Sequence, residues 1–403
     1  MATNLYVDAV DGDDTNAGTS PGAAFQRLSA AVASANYDQN TQNIYLSNNG
    51  EHIVHNYIDL RLGGVRQSSS YVLNVQAYDA GGSFEIQYPD GSRYAPAAEI
   101  NCEDNNAGQD GVFYANSYDG FTFDGLSIHD SVAENVFYEF RYNNFVKNCE
   151  IYQIKIDPTR STGTVWDGFS SATSRVSFYN TYIHDITGTT GSSYAIDGLQ
   201  GSGYNHFFRN YFHNIETNTV MKVRQSTQIV NNIFSTCNNG IEITTNIDGV
   251  SLLNNTFYNM SGYCIYANGG SSEYTNIEGN AVSNVEQFLS LGTTPVKNIN
   301  FITHNLLYEV GEFIYDNNGI DHPVVPLYSL TGALIDTSPI FIDPTNHDYR
   351  IKSTSVGYLS GTVQPPGFTF GGGTFGAAAA YFPDEGGGGG DTTSVEVASM
   401  HIG

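Results

Sequence analysis

The sequence predicts an all-β solenoid, and three observations carry the prediction. First, an apolar position recurs at Ile128, Ile151, Ile183, Phe212, Phe234, Phe257, Val282 and Leu307, at separations of 23, 32, 29, 22, 23, 25 and 25 residues. Second, the residues before it repeat. Val176-Ser-Phe-Tyr-Asn180-Thr-Tyr-Ile183 and Val250-Ser-Leu-Leu-Asn254-Asn-Thr-Phe257 share alternating apolar positions, then Asn, then an apolar residue three later. Short alternating runs bounded by Asn and Gly read as strands. A strand repeat of about 20–25 residues reads as stacked β coils. Third, two residues past the anchors stand Asp130, Gln153, Asp185, Asn214, Thr236, Asn259 and Asn284. Short polar side chains that bond their own backbone suit a tight bend repeated in every coil.

On these residues the repeat resembles the right-handed parallel β-helix of the pectate-lyase-like superfamily, which includes polysaccharide-degrading enzymes and phage tailspikes. The resemblance runs to about Gly357. It implies a single-stranded right-handed parallel β-helix, a handedness that parallel crossovers also favour. It is specific for fold and not for activity, because this fold hosts many functions.

Taken in order, residues 4–35 resemble the entry motif of β-helix proteins. Asn4-Leu-Tyr-Val-Asp8 is a strand, Asp11 to Gly18 an acidic loop, and Phe25, Leu28 and Val32 give one apolar face to a short helix. Such a plug shields a solenoid end that would otherwise expose core and strand edges. Asp11, Asp13 and Asp14, with Asn16, offer oxygen ligands to calcium. The alternative is an Asx-rich turn. Ile44-Tyr-Leu46 is a strand. Residues 51–120 are strand-like but poorly periodic, with turns at Tyr88-Pro-Asp-Gly91 and Asn105 to Gly108, and read as irregular early coils. Regular coils run from Phe121 to about Tyr315. Ser338 to Ser353 resembles the closing motif of the same family. Gly-rich segments follow, with Gly386 to Gly390 as a flexible linker. The expected division is 1–50 as N-terminal cap, 51–357 as β-helix and 358–403 as an irregular Gly-rich C-terminal region and tail.

Of 403 residues, 41 are acidic and 15 are Lys or Arg, giving a formal net charge of -26. That disfavours nucleic acid, which requires basic surface. It also disfavours unaided binding of a polyanionic sugar, although calcium could bridge two acidic partners. Cys102, Cys149, Cys237 and Cys264 have no metal-type spacing and are expected as buried thiols. No apolar run is long enough for a membrane span. The N-terminus lacks a secretory pattern. A virion protein released by lysis fits that, and a secreted enzyme is the other expectation.

The two long separations place extra residues at Lys155–Val165 and Thr187–Tyr194, neighbouring loops that would wall one side of the solenoid. Long loops on a rigid scaffold are where function usually lives. The strands that follow align as Phe137-Tyr-Glu139, Val165-Trp-Asp167, Ala195-Ile-Asp197, Val220-Met-Lys222, Gly240-Ile-Glu242 and Cys264-Ile-Tyr266. Period two sends Trp166, Ile196, Met221, Ile241 and Ile265 inward. Glu139, Asp167, Asp197, Lys222, Glu242 and Tyr266 then form an outward column, with Arg141 and Arg224 in a second column two residues on. Coils stack at about 4.8 Å. Asp167 and Asp197 are thus expected about 5 Å apart at the backbone, and Glu139 and Asp197 about 10 Å. A close carboxyl pair suits glycoside hydrolysis. Tyr266 and Phe169 offer faces for sugar stacking.

Two other readings use the same residues. In a lyase, Lys222 or Arg224 would abstract the proton beside a uronate carboxyl group, with calcium on Asp197 and Glu242. In a non-catalytic protein, Lys222 and Arg224 would simply neutralise Asp197 and Glu242. The polygalacturonase motif set is absent, with no Asn-Thr-Asp and no Gly-His-Gly. His129, His184 and His213, with Tyr152 interleaved, form a ladder that is either a surface stack beside the bend or a metal ligand set. The expectation is a carbohydrate-directed protein that cleaves a polysaccharide by hydrolysis or elimination, as a virion spike or extracellular enzyme. The alternative is a structural, decoration or adhesion component contacting other virion proteins. Spikes of this fold are commonly homotrimers and free enzymes of it commonly monomers, as the resemblance implies.

Overall fold

The computed structural model describes residues 3–35, 41–55, 57–60, 72–89, 91–102, 111–115, 120–132, 135–138, 140, 144–156, 164–167, 176–188, 194–199, 205–224, 226–244, 248–268, 273–292, 299–303, 305–316 and 334–355. The chain winds into stacked coils, each adding a strand to two or three sheets in turn. Eleven parallel strands form the first sheet, from Thr3–Val7 through Phe121–Asp124 and Thr227–Val230 to Ile299–Thr303. The second sheet runs from His52–Ile53 through Leu126–His129, Glu150–Ile156, Tyr182–Gly188, Tyr211–Ile215 and Ile233–Cys237. The third includes Phe113–Tyr114, Asn135–Tyr138, Thr164–Asp167, Tyr194–Leu199, Thr219–Val223 and Ile241–Thr244. In the later coils Thr256–Asn268, Ala281–Leu291 and Leu306–Asp316 bend across both sheets as single long strands. This is a parallel β-helix.

The anchor column faces inward. Ile128, Ile151, Ile183, Phe212, Phe234, Phe257 and Val282 are fully buried and Leu307 nearly so. Phe212, Phe234 and Phe257 stack ring on ring at 4.9 Å. Stacking of like residues from successive coils is what a parallel in-register array imposes. All four cysteines are buried thiols.

The bend column is equally regular. Asp130, Gln153, Asp185, Asn214, Thr236, Asn259 and Asn284 all have positive φ, between 49° and 58°. Asn and Asp tolerate this left-handed conformation, and a β-branched residue does not. Thr236 is therefore the strained member. Its side chain is exposed and makes only 3.5 Å contacts, whereas Asn284 donates to Asn259 at 2.8 Å. Thr236→Asn is expected to stabilise the protein by about 0.5–1 kcal/mol. A denaturation midpoint at or below wild type would show that this bend carries no strain.

A second bend column, Asn148, Asn180, Arg209, Asn231 and Asn254, also has positive φ. After Arg209, Asn231 and Asn254 the next residue turns inward, and Asn210, Asn232 and Asn255 continue through Asn280 and Asn305 as a buried amide ladder, each with no exposed surface.

The irregular stretch 51–120 enters the same sheets. Leu73–Tyr78 pairs with Phe121–Asp124, Ala98–Asn101 with Leu126–His129, and Phe113–Tyr114 with the strand ending at Tyr138. A small antiparallel hairpin, Ile86–Gln87 with Arg93–Tyr94, interrupts it at the Tyr88 turn. Thr3–Val7 and Gln42–Ser47 pair in register with each other and with Leu73–Tyr78, so the coil wall begins within the entry motif. The helix is Leu28–Ser34, and Phe25, Leu28 and Val32 are buried against the first coil. Residues 358–403, including the Gly-rich segments, lie outside the described residues.

The closing motif is an antiparallel hairpin, Phe341–Asp343 with Asp348–Ile351, folded back over the second sheet. Ile340, Phe341, Tyr349 and Ile351 pack on Tyr182, Tyr211 and Ile233. A hydroxyl chain crosses this contact: Ser235 Oγ to Tyr349 Oη at 2.5 Å, Tyr349 to Tyr211 Oη at 3.0 Å, and Tyr211 Oη to His347 Nδ1 at 2.7 Å.

Beneath the hairpin, burial and then the neighbouring His347 push His213 down to about 4, with Asp185 opposing. Burial, then His184, lowers His347 as well. Above a pH of about 6.5 both folded and unfolded imidazoles are neutral. As pH falls below that, the unfolded chain takes up a proton that folded His213 refuses until about 4, so stability falls across that window. Discounted for its partial exposure, His213 accounts for about 1–2 kcal/mol of this loss. Stability should therefore drop as pH falls from about 6.5 to about 4, and drop less in His213→Gln. Parallel pH profiles for the two proteins would remove His213 as the cause.

Candidate active site

The third sheet presents one outward column assembled from many coils. Its register runs Asp59, Tyr114, Tyr138, Asp167, Asp197 on consecutive strands. After a bulge between Ile196 and Leu199 it continues as Lys222, Glu242, Tyr266 and Ser290. Ile196, Met221, Ile241 and Ile265 face the core and are fully buried. Asp59, Asp197, Lys222 and Glu242 on the other face are half-buried, and Ser290 is buried. The structure corrects one member: Tyr138, not Glu139, is in register with Asp167. Phe137 packs inward between Phe113 and Phe123, so its neighbour Tyr138 faces out and stacks on Tyr114 at 5.5 Å. Two adjacent aromatics leave period two ambiguous, and ring stacking decides it. Glu139, Arg141 and Phe169 lie outside the described residues, as do residues 157–163 and 189–193 of the two long loops.

Asp197, Arg224, Lys222 and Glu242 form a half-buried charged cluster. Nη2 of Arg224 lies 3.1 and 3.2 Å from the two carboxylate oxygens of Asp197. Lys222 Nζ donates to the hydroxyl of Tyr194 at 3.0 Å and lies 4.5 Å from its ring centroid. That hydroxyl donates to Glu242 at 3.0 Å, and Lys222 Nζ is 4.0 Å from Glu242. Burial, then the charge of Glu242, holds the Tyr194 phenol well above its usual range. It is therefore a proton donor here and not a phenolate. Above Glu242, Tyr266 lies 5.3 Å ring to ring from Tyr263, whose hydroxyl meets Thr219 Oγ1 at 2.8 Å.

Chemically the face offers carboxylates with cations beside them, between two aromatic platforms: Tyr114 and Tyr138 before the charges, Tyr263 and Tyr266 after them. Tyr114, Tyr138, Tyr194 and Tyr263 escape a sequence reading that follows charged residues. An alternation of aromatic and acidic residues in the aligned strands is the signal that could have found them. Asp197 and Glu242 each face a cationic side chain, so they do not converge as a calcium pair.

The entry loop follows the turn alternative. Asp13 Oδ1 accepts from the backbone and hydroxyl of Thr15, and Asp14 Oδ1 accepts from the backbone N–H of Gln26 and Arg27. Asn16 donates to the Ala24 carbonyl. Among the described residues, Asp11, Asp13 and Asp14 do not gather their oxygens at one point; only Glu51, Glu99 and His129 bring three such ligand atoms within 4.8 Å of one another. The ladder imidazoles do not converge either. His129 and His184 are spaced by the Tyr152 ring, at 5.0 and 5.1 Å from it.

A family model described as a right handed beta helix region matches residues 110–282, which gives the coil its hand. The described residues fold as a right-handed parallel β-helix. No curated protein matches it. Two solved structures of a GH136 lacto-N-biosidase from Eubacterium ramulus, the native protein and a selenomethionine derivative, are similar at 12% identity. Each comparison covers 82% of this chain and 67% of the other, with TM-scores of 0.36 and 0.31. Among the described residues no helix is long and apolar enough to cross a membrane.

Proposed function

We propose that this protein cleaves a polysaccharide by hydrolysis on the outer face of its third sheet. The carrying observation is a column of carboxyl residues on one sheet, Asp167 in register with Asp197 and Glu242 further along, with half-buried tyrosines at both ends. From Tyr138 to Tyr266 the column spans about five strand spacings, or about 24 Å. That length suits an extended chain lying along the solenoid axis. Tyrosine faces would stack the sugars, and the carboxylates would supply acid and base. Asp197, fixed by Arg224, is the group placed to activate water or attack. Glu242 accepts a hydrogen bond from the Tyr194 hydroxyl and is the second carboxyl. Elimination is less well served, because Lys222 directs its proton at Tyr194 and Arg224 is engaged by Asp197.

One observation favours a second reading. Asp197 with Arg224, and Glu242 with Tyr194 and Lys222, are already paired, as on a face that binds sugar or another protein without reacting. A virion or extracellular setting, and a trimeric or monomeric state, remain proposals attached to either reading. The test is a panel of neutral and acidic polysaccharides, with and without calcium, assayed for new reducing ends and for the ultraviolet absorbance of unsaturated products. Reducing ends without that absorbance support hydrolysis. Absorbance shifts the reading to a lyase. Silence across the panel, with binding retained, shifts it to adhesion.

A further inference from the structure

We infer that Glu51, Glu99 and His129 form a binding site for one divalent cation of the zinc or manganese type, at the N-terminal end of the second sheet. The three residues come from consecutive coils. His52 pairs with Ile100, Glu99 with Ser127, and Asn101 with His129. Alternation therefore puts Glu99 on the same outer face as His129, one strand away and two residues back. Glu51, just before its strand, reaches the same point. His129 Nε2 is 3.4 Å from Glu99 Oε1 and 3.7 Å from Glu51 Oε1.

The imidazole is set up as a ligand. Its other nitrogen, Nδ1, lies 2.8 Å from Asp130 Oδ2, a bond that places the ring proton on Nδ1. That leaves the lone pair of Nε2 directed at two carboxylates. The side chain is only 6% exposed, and Nε2 is buried without a hydrogen-bond partner. The ring is held flat against Tyr152, and Asn101 Nδ2 donates to Glu51 Oε1 at 2.8 Å. A lone pair facing two carboxylates is repulsive unless a proton or a metal cation lies among them.

The coil after the next supplies an internal contrast. His184 repeats the local arrangement, with Nδ1 at 2.9 Å from Asp185, but its Nε2 meets a single carboxylate, Glu150, at 3.1 Å. There one hydrogen bond closes the system. At His129 the two carboxylates stand further back, at 3.4 and 3.7 Å. A tetrahedral ion with bonds of about 2.0–2.1 Å separates its ligands by about 3.3 Å, close to what is seen. One imidazole with two carboxylates suits zinc or manganese, whereas calcium prefers oxygen alone. A bound ion would tie three successive coils together where the second sheet begins.

The test uses the full chain stripped with a chelator and titrated calorimetrically with Zn2+ or Mn2+, with Co2+ as a spectroscopic probe. Wild type is expected to take up one equivalent and melt at a higher temperature with the ion than without. Glu51→Gln and Glu99→Gln should each weaken binding at least about tenfold. His129→Gln should abolish the visible cobalt bands. Glu51 is the most exposed of the three, so its variant tests the site even if the others fold poorly. Uptake equal in wild type and Glu51→Gln would mean adventitious binding to an acidic surface and overturn the proposal. No uptake by wild type would overturn it too, with a proton in place of the metal.

Discussion

Asp197→Asn is expected to lower the release of reducing ends by a factor of about a hundred to a thousand while the protein stays folded. The substitution keeps the shape of the side chain and removes its charge. Asn still accepts one bond from Arg224 Nη2, which now touches both oxygens. It can neither take a proton from water nor attack an anomeric carbon. The stability cost should be small, because the pair is partly exposed and such pairs contribute only about 0.2–1 kcal/mol. Lys222→Ala separates the mechanisms. Its Nζ donates to Tyr194, which in turn donates to Glu242. In a hydrolase Lys222 only orients that relay, and its loss should cost about tenfold. If Lys222→Ala instead abolishes activity and Asp197→Asn retains most of it, the carboxylate reading fails and proton abstraction by lysine replaces it. Substrate turnover by both variants, against the wild-type melting curve, makes the comparison.

The coil was legible because its two determinants act locally. The apolar anchors recur at the coil length, and a left-handed bend selects Asn and Asp wherever it falls. The buried amide ladder was not legible, although it lies one residue beyond the Asn of the repeat. In Asn231-Asn232 and Asn254-Asn255 one side chain serves the bend and the next turns inward, and identical residues hide the division of labour. The third-sheet column could be read from Asp167 onward because single apolar residues flank each charge. It failed at Glu139, where Phe137 and Tyr138 compete for the core. The hairpin over the second sheet and the convergence of Glu51, Glu99 and His129 depend on contacts between residues far apart in the sequence. No local pattern encodes them, and the two glutamates sit where the repeat is least regular.

The amide ladder should also be the most sensitive point of the scaffold. Asn255→Leu, which keeps the number and branching of side-chain heavy atoms, is expected to cost about 4 kcal/mol or more. Asn255 Oδ1 accepts from both the backbone N–H and the side-chain amide of Asn232, at 3.0 and 3.1 Å. Its Nδ2 donates to the Ile229 carbonyl at 2.8 Å and to Asn280 Oδ1 at 3.1 Å. Leucine would leave the Asn232 backbone N–H and the Ile229 carbonyl without these partners, with no water to replace them, while Asn232 Nδ2 keeps the Phe207 and Val230 carbonyls. Each such buried orphan costs about 1–3 kcal/mol, while the gain from burying a leucine offsets only part of the sum. The loss would propagate, because Asn232 is itself the acceptor for Asn210 and Asn280 depends on Asn305. The control is Asn259→Gly in the exposed bend column, where glycine accepts the positive φ and only surface bonds are lost. Denaturant midpoints should fall steeply for Asn255→Leu and stay near wild type for Asn259→Gly. Similar midpoints for the two variants would mean that the ladder contributes no more than a solvent-exposed turn, and that the coils are held together by their apolar stacks alone.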